Sequence, residues 1–238
     1  MSERVHKRRT TRASVLAKLT SLANADNVAG MARYGINPKN TLGVSVPLLR
    51  AMGKEIGRDH ALALELWKSG VHEARILAGL IDDPALASEA QLERWARDLD
   101  SWDVCDLVCS NLFDRTPFAH AKAIAWSSRE EEFVKRAGFV LMAALAVHDK
   151  EASASSFRKF LPIIEREALD ERNFVKKAVN WALREIGKRS PELNSAAIAA
   201  ARKIQSIDSK SARWIASDAL RELESSAVQE RLKQPHGR

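Results

Sequence analysis

The sequence predicts an all-helical protein, and three observations carry that reading. Glycine (10) and proline (7) are scarce in a chain of 238 residues, and there is one tyrosine. A β-sandwich or barrel needs many turns and β-prone aromatics, which are missing here. Helix punctuation recurs throughout: Ser45-Val-Pro47, Asp59 with Gly70, Ser88 with Gln91, Ser101, and Ser190-Pro191 have the pattern of N-caps, early prolines and C-caps. Between them run apolar stripes of helical period, such as Leu62 and Leu66, then Leu77 and Leu80. Roughly a dozen helices of about 10–17 residues, joined by short loops, account for the chain.

Composition bounds the rest. Hydrophobic residues make up 45%, too many for a disordered chain. Two cysteines cannot build a disulfide framework, so a reducing compartment is expected. The longest uncharged stretch, Ala137 to Val147, has 11 residues, whereas a membrane helix needs about 20. The basic N-terminus leads into no apolar segment of the kind a secretion signal needs. The expectation is a cytoplasmic protein with no membrane partner. No Gly/Ser linker divides the chain, so one domain is expected over residues 13–225. A basic tail, 1–12, precedes it, and a tail expected to be disordered, 226–238, follows.

The charge is concentrated. The chain carries 38 basic and 31 acidic residues, a net +7. Residues 1–12 hold five basic side chains against Glu3. Residues 172–189 hold Arg172, Lys176, Lys177, Arg184, Lys188 and Arg189 against Glu185. The remainder is slightly acidic. A positive patch on an otherwise balanced protein suits a polyanion.

Internal similarity suggests how the helices stack. Phe133-Val-Lys-Arg-Ala137 matches Phe174-Val-Lys-Lys-Ala178 at an offset of 41, and Ala182-Leu-Arg-Glu185 matches Ala219-Leu-Arg-Glu222 at 37. These intervals approach the roughly 40–47 residues of HEAT and armadillo repeats, in which helix pairs stack into a solenoid.

Three segments could carry chemistry. In the helix predicted from Asn173 to Lys188, Val175, Ala178, Val179, Ala182 and Ile186 share one face and form its core side. Trp181 lies opposite, near Lys177, Arg184 and Lys188. It either packs on a neighbour while the cations snorkel, or offers a flat apolar surface beside a nucleic-acid backbone. The helix from about Glu130 to Val147 is apolar nearly all round and should be central. Arg136 near its start needs an anion, which is either an internal carboxylate or a docked phosphate. In Asp100-Ser-Trp-Asp-Val-Cys-Asp106, Ser101 can cap a helix that puts Trp102 and Asp106 on one face. Asp103 reads as a first-turn acid favoured by the helix dipole. Asp106 either pairs with Arg136 or stays ionised to face a developing positive charge. Cys105 and Cys109 read as small core residues. There is no Gly-rich phosphate loop, no GxSxG elbow and no Cys/His cluster for zinc, so neither cofactor nor metal is expected.

Together these segments resemble the AlkD-type DNA alkylation-repair glycosylases, a HEAT-like family. The resemblance runs from about Met31 to Arg189. It is carried by Met31-Ala-Arg-Tyr34, Leu42-Gly-Val-Ser-Val-Pro-Leu-Leu-Arg50, Trp102-Asp-Val-Cys-Asp106, Lys135-Arg136 and Phe174-Val-Lys-Lys-Ala-Val-Asn-Trp-Ala-Leu-Arg-Glu185. It implies an α-solenoid with a concave basic groove that holds double-stranded DNA containing alkylated bases, acting as a monomer. It implies excision of cationic N3- or N7-alkylated purines without base flipping. Asp106 then matches the catalytic aspartate, Trp102 and Trp181 the family's two tryptophans, and Arg136 the active-site arginine; the expected roles are that the tryptophans flank the sugar and Arg136 clamps a phosphate. Tyr34 matches a DNA-contacting aromatic, and Lys177, Arg184 and Lys188 supply backbone contacts. The pattern is broken at Ser101, where a second aromatic could stand. Two other readings stay open: a catalytically silent scaffold for damaged or branched DNA, and a solenoid for an acidic protein partner.

Overall fold

The computed structural model describes residues 10–233; residues 1–9 of the expected basic tail and 234–238 of the expected C-terminal tail lie outside them. Among the described residues there are fifteen α-helices, a 3-10 turn and no strand. The chain divides between Ala87 and Ser88 into two compact units. In a helical-repeat stack most contacts are made between neighbouring repeats, so such a chain can divide without a linker.

The first unit contains α1 (Arg12–Ser21), α2 (Ala25–Arg33), α3 (Val46–Ile56), α4 (His60–Trp67) and α5 (His72–Ile81). Its core side chains include Leu49, Leu62, Leu66 and Leu77, all buried. Asp59 caps α4 by accepting the Leu62 N–H at 2.9 Å, and Gly70 closes the following turn with φ +70. The Leu42-Gly-Val44 segment is shaped by a residue that sequence reasoning missed. Glu73, fully buried in the first turn of α5, accepts backbone N–H bonds from Leu42 at 2.9 Å, Gly43 at 2.6 Å and Val44 at 3.2 Å. Gly43 has φ +79, and a Cβ there would collide with the Asn24 carbonyl oxygen. A buried carboxylate is tolerated because three donors replace its lost hydration.

The second unit contains α6 (Glu89–Arg97), α7 (Trp102–Asn111), the 3-10 turn Phe113–Arg115, α8 (Ala119–Ser127), α9 (Glu132–His148), α10 (Ala154–Arg158), α11 (Leu161–Glu167), α12 (Asn173–Gly187), α13 (Pro191–Gln205), α14 (Lys210–Leu223) and α15 (Ser226–Lys233). The expected central helix is α9, buried continuously from Arg136 to Ala146 and packed by α7, α8 and α12. Ser190 caps α13 through the Leu193 N–H, with Pro191 in the first turn. Residues 226–233 form α15, which packs on α14 and buries Val228 and Leu232. Two apolar anchors one turn apart hold this segment in place of the expected disorder.

Pairwise register shows how α7, α9, α12 and α14 are laid. The Cys105 and Cys109 thiols face the carbonyls of Phe133 and Ala137, each 28 residues on. Between α12 and α14 the Lys176 ammonium lies 5.4 Å over the Trp214 ring, Asn180 donates to Asp218 at 2.7 Å and Arg184 donates to Glu222. Each of these three pairs is 38 residues apart. A constant offset means parallel helices in register, so α7 lies parallel to α9 and α12 to α14. This is the layering that alternate helices adopt in a stack of helix pairs.

Helices α8 and α9 come close at Gly138, where a Cβ would sit 2.6 Å from the Ser127 backbone nitrogen. The neighbouring atoms are backbone and cannot rotate away. Gly138→Val should therefore cost about 1–3 kcal/mol by overpacking and lower the melting temperature by roughly 2–4 °C for each kcal/mol. An unchanged thermal midpoint would show that the two helices separate freely.

Candidate functional site

The site is built on the start of α7. Ser101 takes the N-cap position with extended backbone, but its side chain makes no capping bond. The hydroxyl instead donates to Asp103 Oδ1 at 2.6 Å. Asp103 is therefore a buried, hydrogen-bonded residue and not only the first-turn acid expected. The core side of α7 is Val104, Cys105, Val108 and Cys109, all fully buried. Both thiols are free, and burial pushes the Cys109 thiol well up, as befits inert core residues. Trp102 and Asp106, one turn apart, stay half-buried on the flank of the helix.

Arg136, in the second turn of α9, reaches Asp106 with two parallel bonds, Nε to Oδ1 at 2.9 Å and Nη2 to Oδ2 at 2.8 Å. Its Nη1 donates to the Phe174 carbonyl on α12 at 2.5 Å. The side chains are 7% and 19% exposed for Arg136 and Asp106. The anion demanded by Arg136 is thus an internal carboxylate, and together with the Phe174 carbonyl it takes three of the five N–H donors. Burial pushes the Asp106 carboxyl above its ordinary value, Arg136 opposes that rise, and the Asp103 charge adds to it. Each Asp106 oxygen retains a second lone pair. The exposed edge can therefore still accept a bond from water or face a cation.

On α12 the predicted core face is correct: Val175, Ala178, Val179, Ala182 and Ile186 are fully buried. Trp181 is half-buried, and its indole N–H donates to Glu185 at 3.2 Å. The cations around it are less available than the sequence suggested. Lys188 binds Glu185 and Glu222, each at 2.7 Å, and Arg184 pairs with Glu222 and, at 3.8 Å, Asp218. Burial alone would raise the Glu222 carboxyl, but Lys188 and Arg184 outweigh it and hold it below the usual range. Arg172 binds Asp170, and Arg189 donates to the Ala146 and Ala152 carbonyls. Of the six cations in 172–189, Lys177 is exposed and unpaired among the described residues, and Lys176 lies over Trp214. The network fixes Trp181 instead, through Glu185. Sequence reasoning missed Glu222, although the repeated Ala-Leu-Arg-Glu motif carried a usable signal. Its offset of 37 places Arg184 within one residue of Glu222 on the facing helix.

The structure therefore joins Asp106 to Arg136, and both to α12 through the Phe174 carbonyl. Tyr34 belongs to the other unit, where it ends α2 and is 77% exposed. A cavity of about 980 Å³ lies toward the other end of α9 and α12, lined by Lys150, Glu185, Lys188, Arg189 and Arg231; it excludes Asp106. Among the described residues no three His, Cys, Asp or Glu are grouped to hold a metal ion, and no helix is long and apolar enough to cross a membrane.

The model of the DNA alkylation repair enzyme family matches residues 15–223. The chain belongs to that family. No curated protein sequence matches it. Among solved structures it is similar to one described as belonging to a new family of proteins related to the HEAT-like repeat DNA glycosylases with affinity for branched DNA structures. The two share 21% identity and a TM-score of 0.76, over 90% of this chain and 96% of the other. The fold is accordingly that of HEAT-like repeats. For this member of the family the pairing of Arg184 and Lys188 has a measurable consequence. Against duplex DNA, Lys177→Ala should reduce the log–log salt slope by about 0.9, the value of one phosphate contact. Arg184→Ala and Lys188→Ala should leave it nearly unchanged. Equal losses from all three variants would show that the carboxylates do not compensate these cations.

Proposed function

We propose that this protein is a DNA glycosylase that removes cationic N3- or N7-alkylated purines from duplex DNA by hydrolysis, without flipping the base. The observation that carries the reading is the Asp106 carboxylate, mostly buried but still 19% exposed, kept in place by a bidentate arginine and set one helical turn from Trp102. A purine alkylated at these positions is already positively charged and leaves readily. The glycosidic bond breaks with its electron pair passing to the base, and the sugar becomes oxocarbenium-like. Asp106 faces that charge and orients the attacking water, whose oxygen bonds to C1′ and whose proton passes to the carboxylate or solvent. Trp102 and Trp181 flank the deoxyribose, their π faces favouring the cationic sugar. Arg136 and Glu185 act as positioning residues, the first on Asp106 and the second on Trp181. Tyr34, on the first unit, and Lys177, on the second, each contact double-stranded DNA, with no cofactor, in a monomer.

The second reading, a scaffold that binds branched DNA without excision, is favoured by the affinity ascribed to the similar solved structure. Release of free alkylpurine from methylated duplex DNA separates the two. Asp106→Asn should keep lesion-DNA affinity within a few fold while lowering excision by roughly 10²–10³, the usual value of one preorganised charge-stabilising group. A variant that excises at the wild-type rate removes Asp106 from the mechanism, and a wild-type protein that binds branched DNA but releases no base supports the scaffold.

A pH profile tests the pair itself. Excision needs ionised Asp106, and burial moves its titration upward, so activity should fall on acidification at a pH above the ordinary aspartate value of about 3.9. Arg136 is the group that lowers it, so Arg136→Met should push the acid limb to still higher pH. A limb that stays put or moves down in a folded variant would show that Arg136 does not set the ionisation of Asp106.

A further inference from the structure

We propose that Trp214, with Lys176 and Lys210, is a stacking site for an unpaired DNA base, distinct from the excision site. The proposal rests on the DNA-binding reading above and extends it to a region of the chain with no assigned role. Trp214 stands on α14 and is 40% exposed. Of the six tryptophans, Trp67, Trp95 and Trp126 are buried in the core and Trp102 and Trp181 are half-buried. Trp214 alone combines an exposed indole with a cation over its ring, the Lys176 ammonium at 5.4 Å. Lys210 precedes it by one turn on the same helix and is exposed. Among the described residues neither Lys176 nor Lys210 has a carboxylate partner. Carboxylates compensate the neighbouring cations Arg172, Arg184 and Lys188, and Arg213, next to Trp214, pairs with Asp208 at 2.8 Å. Two cations without a carboxylate partner, Lys176 over the ring and Lys210 one turn before it, thus stand at one exposed aromatic surface.

That combination fits a particular ligand. Bases in a duplex are stacked on each other and offer no face to an indole, whereas an unpaired base can lie on the ring while lysines hold the flanking phosphates. The register of the helices gives the distance from the excision site. α7 packs on α9, α9 on α12 and α12 on α14, so Asp106 and Trp214 are separated by three interhelical steps of about 8–10 Å. The axes of α7 and α14 are thus at most about 30 Å apart, or roughly nine nucleotides at 3.4 Å each. A single strand emerging about one helical turn from the lesion would reach Trp214.

The test compares fluorescently labelled blunt duplex with the same duplex carrying a single-stranded extension, by anisotropy at fixed salt. Wild-type protein should prefer the extended DNA. Trp214→Ala should weaken binding of the extended DNA by roughly 5- to 150-fold, the range for loss of one stacked base, and leave the blunt duplex unaffected. Trp214→Phe should keep most of the preference, and a thermal melt confirms that both variants fold. Equal affinities of wild type for the two DNAs, or equal losses of both in Trp214→Ala, would overturn the stacking site while leaving duplex binding intact. A wild-type protein that binds neither DNA would overturn the DNA-binding reading, and the stacking site with it.

Discussion

The ion pair between Asp106 and Arg136 constrains more of this protein than any other contact. A guanidinium buried in the second turn of the central helix is tolerable only if its charge is matched and its donors are used. Asp106 supplies the charge through two parallel bonds, and the Phe174 carbonyl takes a third donor. Three helices, α7, α9 and α12, therefore converge on one side chain. Because bidentate geometry tolerates little displacement, the pair fixes the depth and rotation of α7 and so the place of Trp102. Scaffold and site share this interaction, and a change to either partner disturbs both.

The second organising feature is the fate of the positive charge. Most of the excess in residues 172–189 holds helices together: Arg184 and Lys188 tie α12 to α14 through Glu222, and Arg189 satisfies backbone carbonyls at the end of α9 and beyond it. Net charge by itself thus overstates what a polyanion would encounter. A few lysines without partners near aromatic side chains matter more to a polyanion than the total, because a cation already paired with a carboxylate must give up that pair before it can neutralise a phosphate and release the polyanion's condensed counterions. The same network has a positive consequence for the site, since Glu185 accepts the Trp181 indole N–H while held by Lys188.

The parallel register of α12 and α14 explains why these pairings recur. Lys176 with Trp214, Asn180 with Asp218, and Arg184 with Glu222 step along the two helices one turn at a time. Successive rungs run from an exposed cation–aromatic contact to a partly buried ion pair. One end of the pair of helices carries an exposed indole, and the other is stapled.

Helical class, caps and core faces were legible in the amino-acid sequence because they depend on local spacing. Asp59, Ser88 and Ser190 accept the expected N–H bonds, whereas Ser45 and Ser101 hold their N-cap positions without a side-chain capping bond, and the apolar side of α12 is buried residue for residue. The residue types of the candidate site were legible too, since an arginine in an apolar helix and an aspartate among cysteines each demand an explanation. What the sequence left open was the partner. Whether Arg136 faces Asp106 or a phosphate, whether Lys188 faces solvent or Glu222, and how Glu73 shapes the segment 31 residues before it depend on which helices lie side by side. Charge pairing acts over a few ångströms between residues about 30–40 positions apart, and only the packed helices bring such positions within reach.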